Sequence, residues 1–473
     1  MTAQTVAAVD LGATSGRVIV GRVGPGVLET TTVARFANDP VRLTDGLHWN
    51  LVGLYDSVLQ GLREALRPST EGDGVASIGV DSWAVDYGLI RGGRLLGEPF
   101  HYRDERTARG VEAVHTRHPH AELFARNGLQ FLPFNTLYQF AAEDPEVLRL
   151  ADHALLIPDL IGFWLTGQAR TERTNASTTG LLRADTGEWD AELLASAGIT
   201  PSLLAPLIAP GETLGALSRD VASVLGGTAP VTAVGSHDTA SAVVAVPMSS
   251  PDAAYISCGT WGLVGVETPR PVLTPAAREA GFTNEGGVDG RIRLLRNVMG
   301  LWILSEAVRG WQREGHAVDL PTLLDAAEEV AGEVAVFDVD DPRFLPPGDM
   351  PARIAAWCNE HGVAAPRTRA EFARSIIESL ARAFADTAHE AGRVGGVDVK
   401  VIHIVGGGAL NELLCRRTAD LAGVPVLAGP VEATALGNIL VQARAAGLVA
   451  GSLESLRDLV AQTHHPRRYE PRA

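Results

Sequence analysis

One hairpin pattern occurs twice in this chain, and that constrains the fold more than any other feature. Ala7 to Val23 reads AAVDLGATSGRVIVGRV, and Tyr255 to Glu267 reads YISCGTWGLVGVE. Each is an apolar strand, a turn of small residues carrying Gly and a hydroxyl, and a second apolar strand. A lone two-stranded hairpin is barely stable in water, so each copy must sit in a larger sheet. The repeat therefore implies two similar halves. A chain of 473 residues holds two domains or three. The boundary is expected near Val246–Pro251, giving domains 1–246 and 247–473.

The segments between the hairpins fit layered α/β architecture. QTVAAVDLG and VASIGVDSWAVDYGLI read as strands, and HWNLVGLYDSVLQGLREALR reads as a helix. The stretch from about Arg106 to Thr200 reads as mostly helical, with loops such as NGLQFLPFNTLYQF. Later, VKVIHIVGGG is a buried strand ending in glycines, NELLCRRTADLAG a helix, VPVLAGP a strand and EATALGNILVQARAAG a helix. Strands alternating with helices mark an α/β fold.

Charge narrows the possible partners. The formal net charge is −16, which argues against nucleic acid, since phosphate backbones are bound by Lys and Arg patches. An anionic ligand would have to be met locally, by backbone amides, a few cations or a metal ion. Cys258, Cys358 and Cys415 are odd in number, widely spaced and without a CxxC. That fits a reducing cytoplasm and neither a disulfide framework nor a structural zinc site. No run reaches 18 apolar residues and no signal peptide is read at the N-terminus, so a cytoplasmic protein without a membrane span is expected.

The turns and acids suggest chemistry. After Asp10 the chain turns through Gly12, Ala13, Thr14, Ser15 and Gly16, which would expose backbone N–H groups and two hydroxyls as an anion cradle. No Walker motif is present, and a strand follows where the dinucleotide fingerprint needs a helix. Taken alone this is only a turn between strands. Gly259, Thr260 and Gly262 repeat the cradle in the second half, and Gly406, Gly407 and Gly408 follow a strand where a flat ligand could approach. Asp10, Asp81, Asp86 and Asp238 interrupt apolar strands. Phosphoryl transfer needs a base and a cation, although Asp238 is equally readable as the N-cap of TASAVVAV. His101, His115, His118 and His120 lack a metal-ligand spacing and read as packing or surface residues. RTERTNASTTGLL reads as a polar loop.

These residues carry a resemblance. The chain resembles the carbohydrate kinases of the xylulokinase–glycerol kinase superfamily, built on the actin-like ATPase fold of two ribonuclease-H-like domains with an interdomain cleft. The matching stretches are AVDLGATSGRV, IGVDSWAVDYGL, YRDERT, GLQFLPFNTLYQ, SHDTASAV, YISCGTWGL, TNEGG with LLRNVMGLWIL, and IHIVGGGALN with LAGPVEATALGNI, in order over nearly the whole chain. SHDTASAV and FLPFNTLYQ point to the rhamnulokinase branch. The resemblance implies ATP and magnesium as cofactors and a ketose, L-rhamnulose, as substrate. It implies Asp238 as the catalytic base and Asp10 as the magnesium acid. Ala13, Thr14, Ser15, Gly16 and Arg17 correspond to the first phosphate loop, and Thr260 to the hydroxyl of the second. Ser305 falls at a nucleotide contact and Gly406, Gly407 and Gly408 at the adenosine site. His237, Thr239, Asn297 and Ala84 are implied around the sugar; Trp83 reads either as a core anchor or as a stacking surface for the sugar, and Arg103 either pairs with Asp104 or lines the cleft. A monomer or small homo-oligomer is expected.

Two positions depart from the family pattern. Ala84 stands where Gly is usual after the Trp, which narrows the sugar pocket. Ser305 stands where a longer polar side chain would reach the nucleotide. A kinase for another ketose, such as L-fuculose or xylulose, therefore stays open. So does a non-catalytic nucleotide-binding scaffold, although such a protein is expected to lose the base or the metal acid, and both are present.

Overall fold

A computed structural model describes residues 3–67 and 74–472. The chain forms two compact units. The first takes the residues through Ser249, then Thr268–Leu294 and Ala433–Thr463; the second takes Ser250–Glu267, Leu295–Glu432 and the residues from His464 on.

The first unit is built on a mixed sheet. Gln4–Leu11 pairs antiparallel with Ser15–Gly24, which pairs antiparallel with Val27–Ala37. On its other side Gln4–Leu11 pairs parallel with Val75–Ser82, followed by Pro230–Thr232 in parallel and Thr213–Ala216 antiparallel at the edge. Val6 to Val9 are all fully buried, as expected of a central strand covered on both faces. One face packs on the helix Leu51–Ala65, through Leu54, Val58 and Leu62. Asn50 caps that helix by accepting from the Gly53 amide. The helix Ala433–Ala445 lies on the sheet within the same unit. Its approach depends on missing side chains: a Cβ on Gly21 would sit 2.7 Å from Ile439, and one on Gly79 would sit 2.5 Å from Asn438 Oδ1.

The second unit repeats the order. Ala253–Cys258 pairs antiparallel with Trp261–Thr268, which neighbours Ile292–Met299; its other side pairs parallel with Val401–Val405, then Val426–Ala428 in parallel and Arg467–Tyr469 antiparallel. The antiparallel hairpin, the two parallel strands beside it and the antiparallel edge strand follow the same directions as in the first sheet, so the repeated hairpin belongs to a repeated sheet. The 27-residue helix Arg369–Gly395 starts with a Thr368–Glu371 capping box and stops at left-handed Gly396. Phe384 from this helix packs on the hairpin so closely that a Cβ on Gly262 would meet its ring at 2.4 Å.

Two local readings need correction. The region from Arg106 to Thr200 is helical only in short pieces. It contains the strand His153–Leu156, paired antiparallel with Tyr87–Arg91. The stretch read as a polar loop contains Glu172, Thr174, Asn175, Thr178 and Thr179, all buried, and Glu172 and the Thr174, Thr178 and Thr179 hydroxyls find hydrogen-bond partners inside the unit. No helix among the described residues is long and apolar enough to cross a membrane. The three cysteines are unpaired and buried.

Candidate active site

Three acids stand at the C-terminal edge of the first sheet, where open α/β sheets place their ligands. Asp10 and Asp81 are register partners on adjacent parallel strands. The next segment joins them through the Ser82 amide, which donates to Ser236 O at 2.9 Å, and through a parallel bridge between Ser82 and His237. Asp238 follows directly. The first hairpin places Arg17 opposite Asp10, and its guanidinium holds Asp10 Oδ2 at 2.8 and 2.9 Å.

Asp81 is fully buried. Asn438 Nδ2 donates to its Oδ2 at 2.5 Å, while Oδ1 has no hydrogen-bond partner among the described residues. Gln442 fixes Asn438 in turn, donating to its Oδ1 at 2.6 Å and to Ala7 O at 3.1 Å. Burial pushes the Asp81 carboxyl well above the ordinary range, and the charges of Asp10 and Asp238 push the same way against the Asn438 hydrogen bond and Arg17. Asp10 and Asp238 lie close enough for their charges to act on Asp81, with Arg17 opposing them. No group of three His, Cys, Asp or Glu placed to hold a metal ion occurs among the described residues, these three acids included.

Asp238 is not an N-cap. It is the first residue of the helix Asp238–Val244; the cap position is His237, and no side chain there caps the helix. Thr239 Oγ1 donates to Asp238 Oδ1 at 3.0 Å, and His237 Nε2 lies 3.4 Å from the same oxygen. The Asp238 side chain keeps 33% of its exposure, so it combines an anchored oxygen with access. The loop before it is braced by a residue the sequence reading missed. Glu172 is buried and accepts from the Ser236 amide at 3.0 Å, Ser236 Oγ at 2.9 Å, Thr174 Oγ1 at 2.6 Å and the Thr174 and Asn175 amides. Burial pushes its carboxyl up against these donors. Behind His237 lie Glu285 and Arg293, also missed; Arg293 is fully buried.

Trp83 and Ala84 lie in a turn organised by Asp86. Asp86 Oδ2 accepts from Trp49 Nε1 at 2.6 Å, Trp83 Nε1 at 3.1 Å and the Tyr102 amide at 3.2 Å, and Oδ1 accepts from Gln139 at 2.8 Å. Burial raises the Asp86 carboxyl to about 6 in spite of these four donors. Trp83 is buried against Trp49 with ring centroids 4.1 Å apart, so its indole N–H is committed to the protein. Val85 has φ 71°, a costly conformation for a β-branched residue and a mark of functional sites. Thr136 Oγ1 and Gln139 Nε2 hold its carbonyl at 2.7 and 3.3 Å, which gives FNTLYQ a physical task. Arg103 is half-buried, with its Nε on Tyr102 Oη at 3.2 Å.

The first unit thus gathers Asp10, Arg17, His237, Asp238 and Thr239 at one sheet edge, with Trp83 following directly on Asp81 and Ser82. In the first loop, Asn38 ties the turn by donating to Gly12 O and Thr14 O, leaving Thr14 and Ser15 exposed beside half-buried Ala13 and buried Gly16. The second unit holds Thr260, Asn297, Ser305 and the glycine triplet. Thr260 sits in the second hairpin turn, whose carbonyls accept from the Gly300, Leu301 and Trp302 amides. Asn297 is half-buried on Ile292–Met299, and Ser305 is exposed on Trp302–Arg313. The three glycines differ. Gly406 has φ 79° and a Cβ there would meet Cys258 O at 2.9 Å; one on Gly408 would meet Cys258 Sγ at 2.4 Å; one on Gly407 would meet nothing within 4 Å. Only Gly407 is open to a ligand.

Comparison with known proteins agrees with this architecture. The FGGY family of carbohydrate kinases matches over both halves, its N-terminal domain on residues 5–245 and its C-terminal domain on residues 254–446. The rhamnulokinase of Pectobacterium atrosepticum is 40% identical over 481 residues, covering 100% of this chain and 94% of the relative. That of Bacteroides thetaiotaomicron is 37% identical, covering 98% and 96%. Among solved structures, the xylulose kinase of Lactobacillus acidophilus superposes with TM-score 0.81 at 18% identity, covering 99% and 94% of the two chains. The glycerol kinase of Plasmodium falciparum, solved with ADP, gives 0.79 at 15% identity, covering 100% and 94%. The chain therefore belongs to the FGGY family of carbohydrate kinases and has their two-domain fold.

Proposed function

We propose that this kinase transfers the γ-phosphoryl group of ATP to the 1-hydroxyl of L-rhamnulose, with Asp238 as general base. The observation that carries the reading is the state of Asp238: a carboxylate heading a helix without capping it, with one oxygen anchored and the side chain accessible. Full-length similarity to rhamnulokinases, at 37% and 40% identity, supports the choice of sugar.

In this reading Asp238 takes the hydroxyl proton as the sugar oxygen bonds to the γ-phosphorus and the bond to the β–γ bridging oxygen breaks, releasing ADP. Magnesium, held through Asp10, would neutralise phosphate charge. Arg17 orients Asp10 for that task. His237 and Thr239 orient the base, and Trp83, Ala84, Arg103 and Asn297 border the sugar. Ala13 to Gly16 and Thr260 serve the phosphates. Ser305 and the Gly406–Gly408 turn serve the nucleoside, with Gly407 in contact. Functionally, 1–246 carries the sugar and the first phosphate loop, and 247–473 the nucleotide. The three buried, unpaired thiols support a reducing cytoplasm as its location.

The test is ADP release with ATP and magnesium across L-rhamnulose, L-fuculose, D-xylulose and glycerol. Highest turnover on L-rhamnulose is expected. Highest turnover on another ketose would keep the chemistry and replace the substrate, and Ala84 would then be the first residue to change.

A further inference from the structure

Behind the base lies a buried charge pair with no partner in the chemistry so far. Arg293 Nη2 is 3.1 Å from His237 Nδ1 and 3.1 Å from Glu285 Oε2, and Glu285 Oε2 is 3.2 Å from His237 Nδ1. The Arg293–His237 contact has the alignment of a hydrogen bond, with Glu285 Oε2 at ion-pair distance from both groups. A guanidinium has no acceptor and does not lose its proton in proteins. Nδ1 facing it must therefore carry the lone pair, and the imidazole proton sits on Nε2, toward Asp238. Arg293 is itself fixed by donating from Nε to Gly286 O at 3.0 Å. Glu285 balances its charge: burial would raise this carboxyl, but the charge of Arg293 opposes it, and the carboxyl lies below its ordinary range.

We infer that Arg293 is a positioning residue for phosphoryl transfer: it locks His237 in the Nε2–H tautomer, so that His237 and Thr239 both donate to Asp238 Oδ1 and leave Oδ2 to receive the sugar proton. The other tautomer would turn the Nε2 lone pair toward Oδ1, and the carboxylate would swing away. This inference rests on the assignment of Asp238 as base. Arg293 acts only through His237 and touches no substrate.

The tautomer is measurable without turnover. In protein labelled with ¹⁵N-histidine at pH 8, long-range ¹⁵N–¹H correlations report which ring nitrogen carries the proton, and His237→Gln identifies the signal. The wild type is expected to show Nε2–H. Arg293→Met is expected to shift His237 toward Nδ1–H, donated to Glu285, and to lower kcat about 100-fold, the effect of a base misplaced by about 1 Å, with KM for ATP unchanged within about twofold. Because Arg293→Met strands a buried carboxylate, the double variant Arg293→Met/Glu285→Met is made beside it. Replacing a buried ion pair with apolar side chains usually preserves folding, so it isolates the loss of the lock. An Nδ1–H signal in the wild type overturns the inference. So does a variant that keeps the tautomer while losing kcat, or one that loses the tautomer and keeps kcat. Transfer retained in Asp238→Ala would instead remove the base assignment, while leaving the tautomer measurement intact.

Discussion

Gly437→Ala tests how the base is held. Gly437 lies in the helix Ala433–Ala445, against the helix that begins at Asp238. A Cβ at 437 would stand 1.8 Å from Ser241 O and 2.6 Å from Ser241 C. An ordinary carbon–oxygen approach is about 3.3 Å, so roughly 1.5 Å of overlap must be relieved. Both contacts are with backbone, so no side chain can swing aside and one helix must move. Overpacking of this kind costs about 1–3 kcal/mol, and the upper end applies where only backbone can yield. Ala gains back up to about 1 kcal/mol of helix propensity over Gly. The net expectation is about 2 kcal/mol lost in urea unfolding. The functional effect should be larger. A shift of about 1 Å in the helix moves Asp238 with it, and such a misplacement costs on the order of 100-fold in kcat. Gly310→Ala is the control: it lies within the helix Trp302–Arg313, and a Cβ there meets nothing within 4 Å. It should keep wild-type kcat and gain up to about 1 kcal/mol. Wild-type kcat and stability in Gly437→Ala would refute the reasoning.

Other substitutions probe separate parts of the account. Asn438→Ala removes the one hydrogen-bond donor to buried Asp81 found among the described residues, and urea unfolding should show a loss of about 1–3 kcal/mol. His101 has its imidazole pKa lowered to about 4, by burial first and then Arg103, against Asp104. Between pH 6.5 and 4 the unfolded chain binds a proton that the folded chain refuses, so this group costs stability as pH falls through that window. His101→Phe should therefore gain about 2 kcal/mol relative to wild type between pH 7 and pH 4.5, read from urea midpoints at both values. Gly408→Ala should lower the thermal midpoint by several degrees, because its Cβ would strike Cys258 Sγ at 2.4 Å. Gly407→Ala should leave the midpoint unchanged and weaken ATP binding by calorimetry, since only a ligand can meet its Cβ. An unchanged ATP affinity there would remove Gly407 from the nucleotide site.

Much of this was legible in the chain, for physical reasons. The repeated hairpin is a local pattern of strand, small turn and strand, and it predicts the repeated sheet because each copy needs one. Asp10, Asp81 and Asp238 stand out because a carboxylate on an apolar strand is costly without a partner or a task. What stayed hidden is how those needs are met from afar. Nothing near Asp81 in sequence announces Asn438, 357 positions away, nor does a run of Ser and Thr around Glu172 show that it is buried around that carboxylate. Composition made that run look like a surface loop, whereas burial with paired donors is equally compatible with it. Arg293 reads as one more charged residue on a strand, and its effect on His237 depends on a contact 56 positions away. Asp238 was ambiguous between cap and base, and backbone geometry at the helix start separates the two.

The most direct test of the central claim compares Asp238→Ala with the wild type in sugar-dependent ADP release at saturating ATP and L-rhamnulose, with calorimetric binding of both ligands measured on the same samples. A general base contributes about 10²–10⁴-fold. The account predicts a kcat loss in that range with both ligands still bound. A variant that binds both and turns over within tenfold of wild type would contradict it.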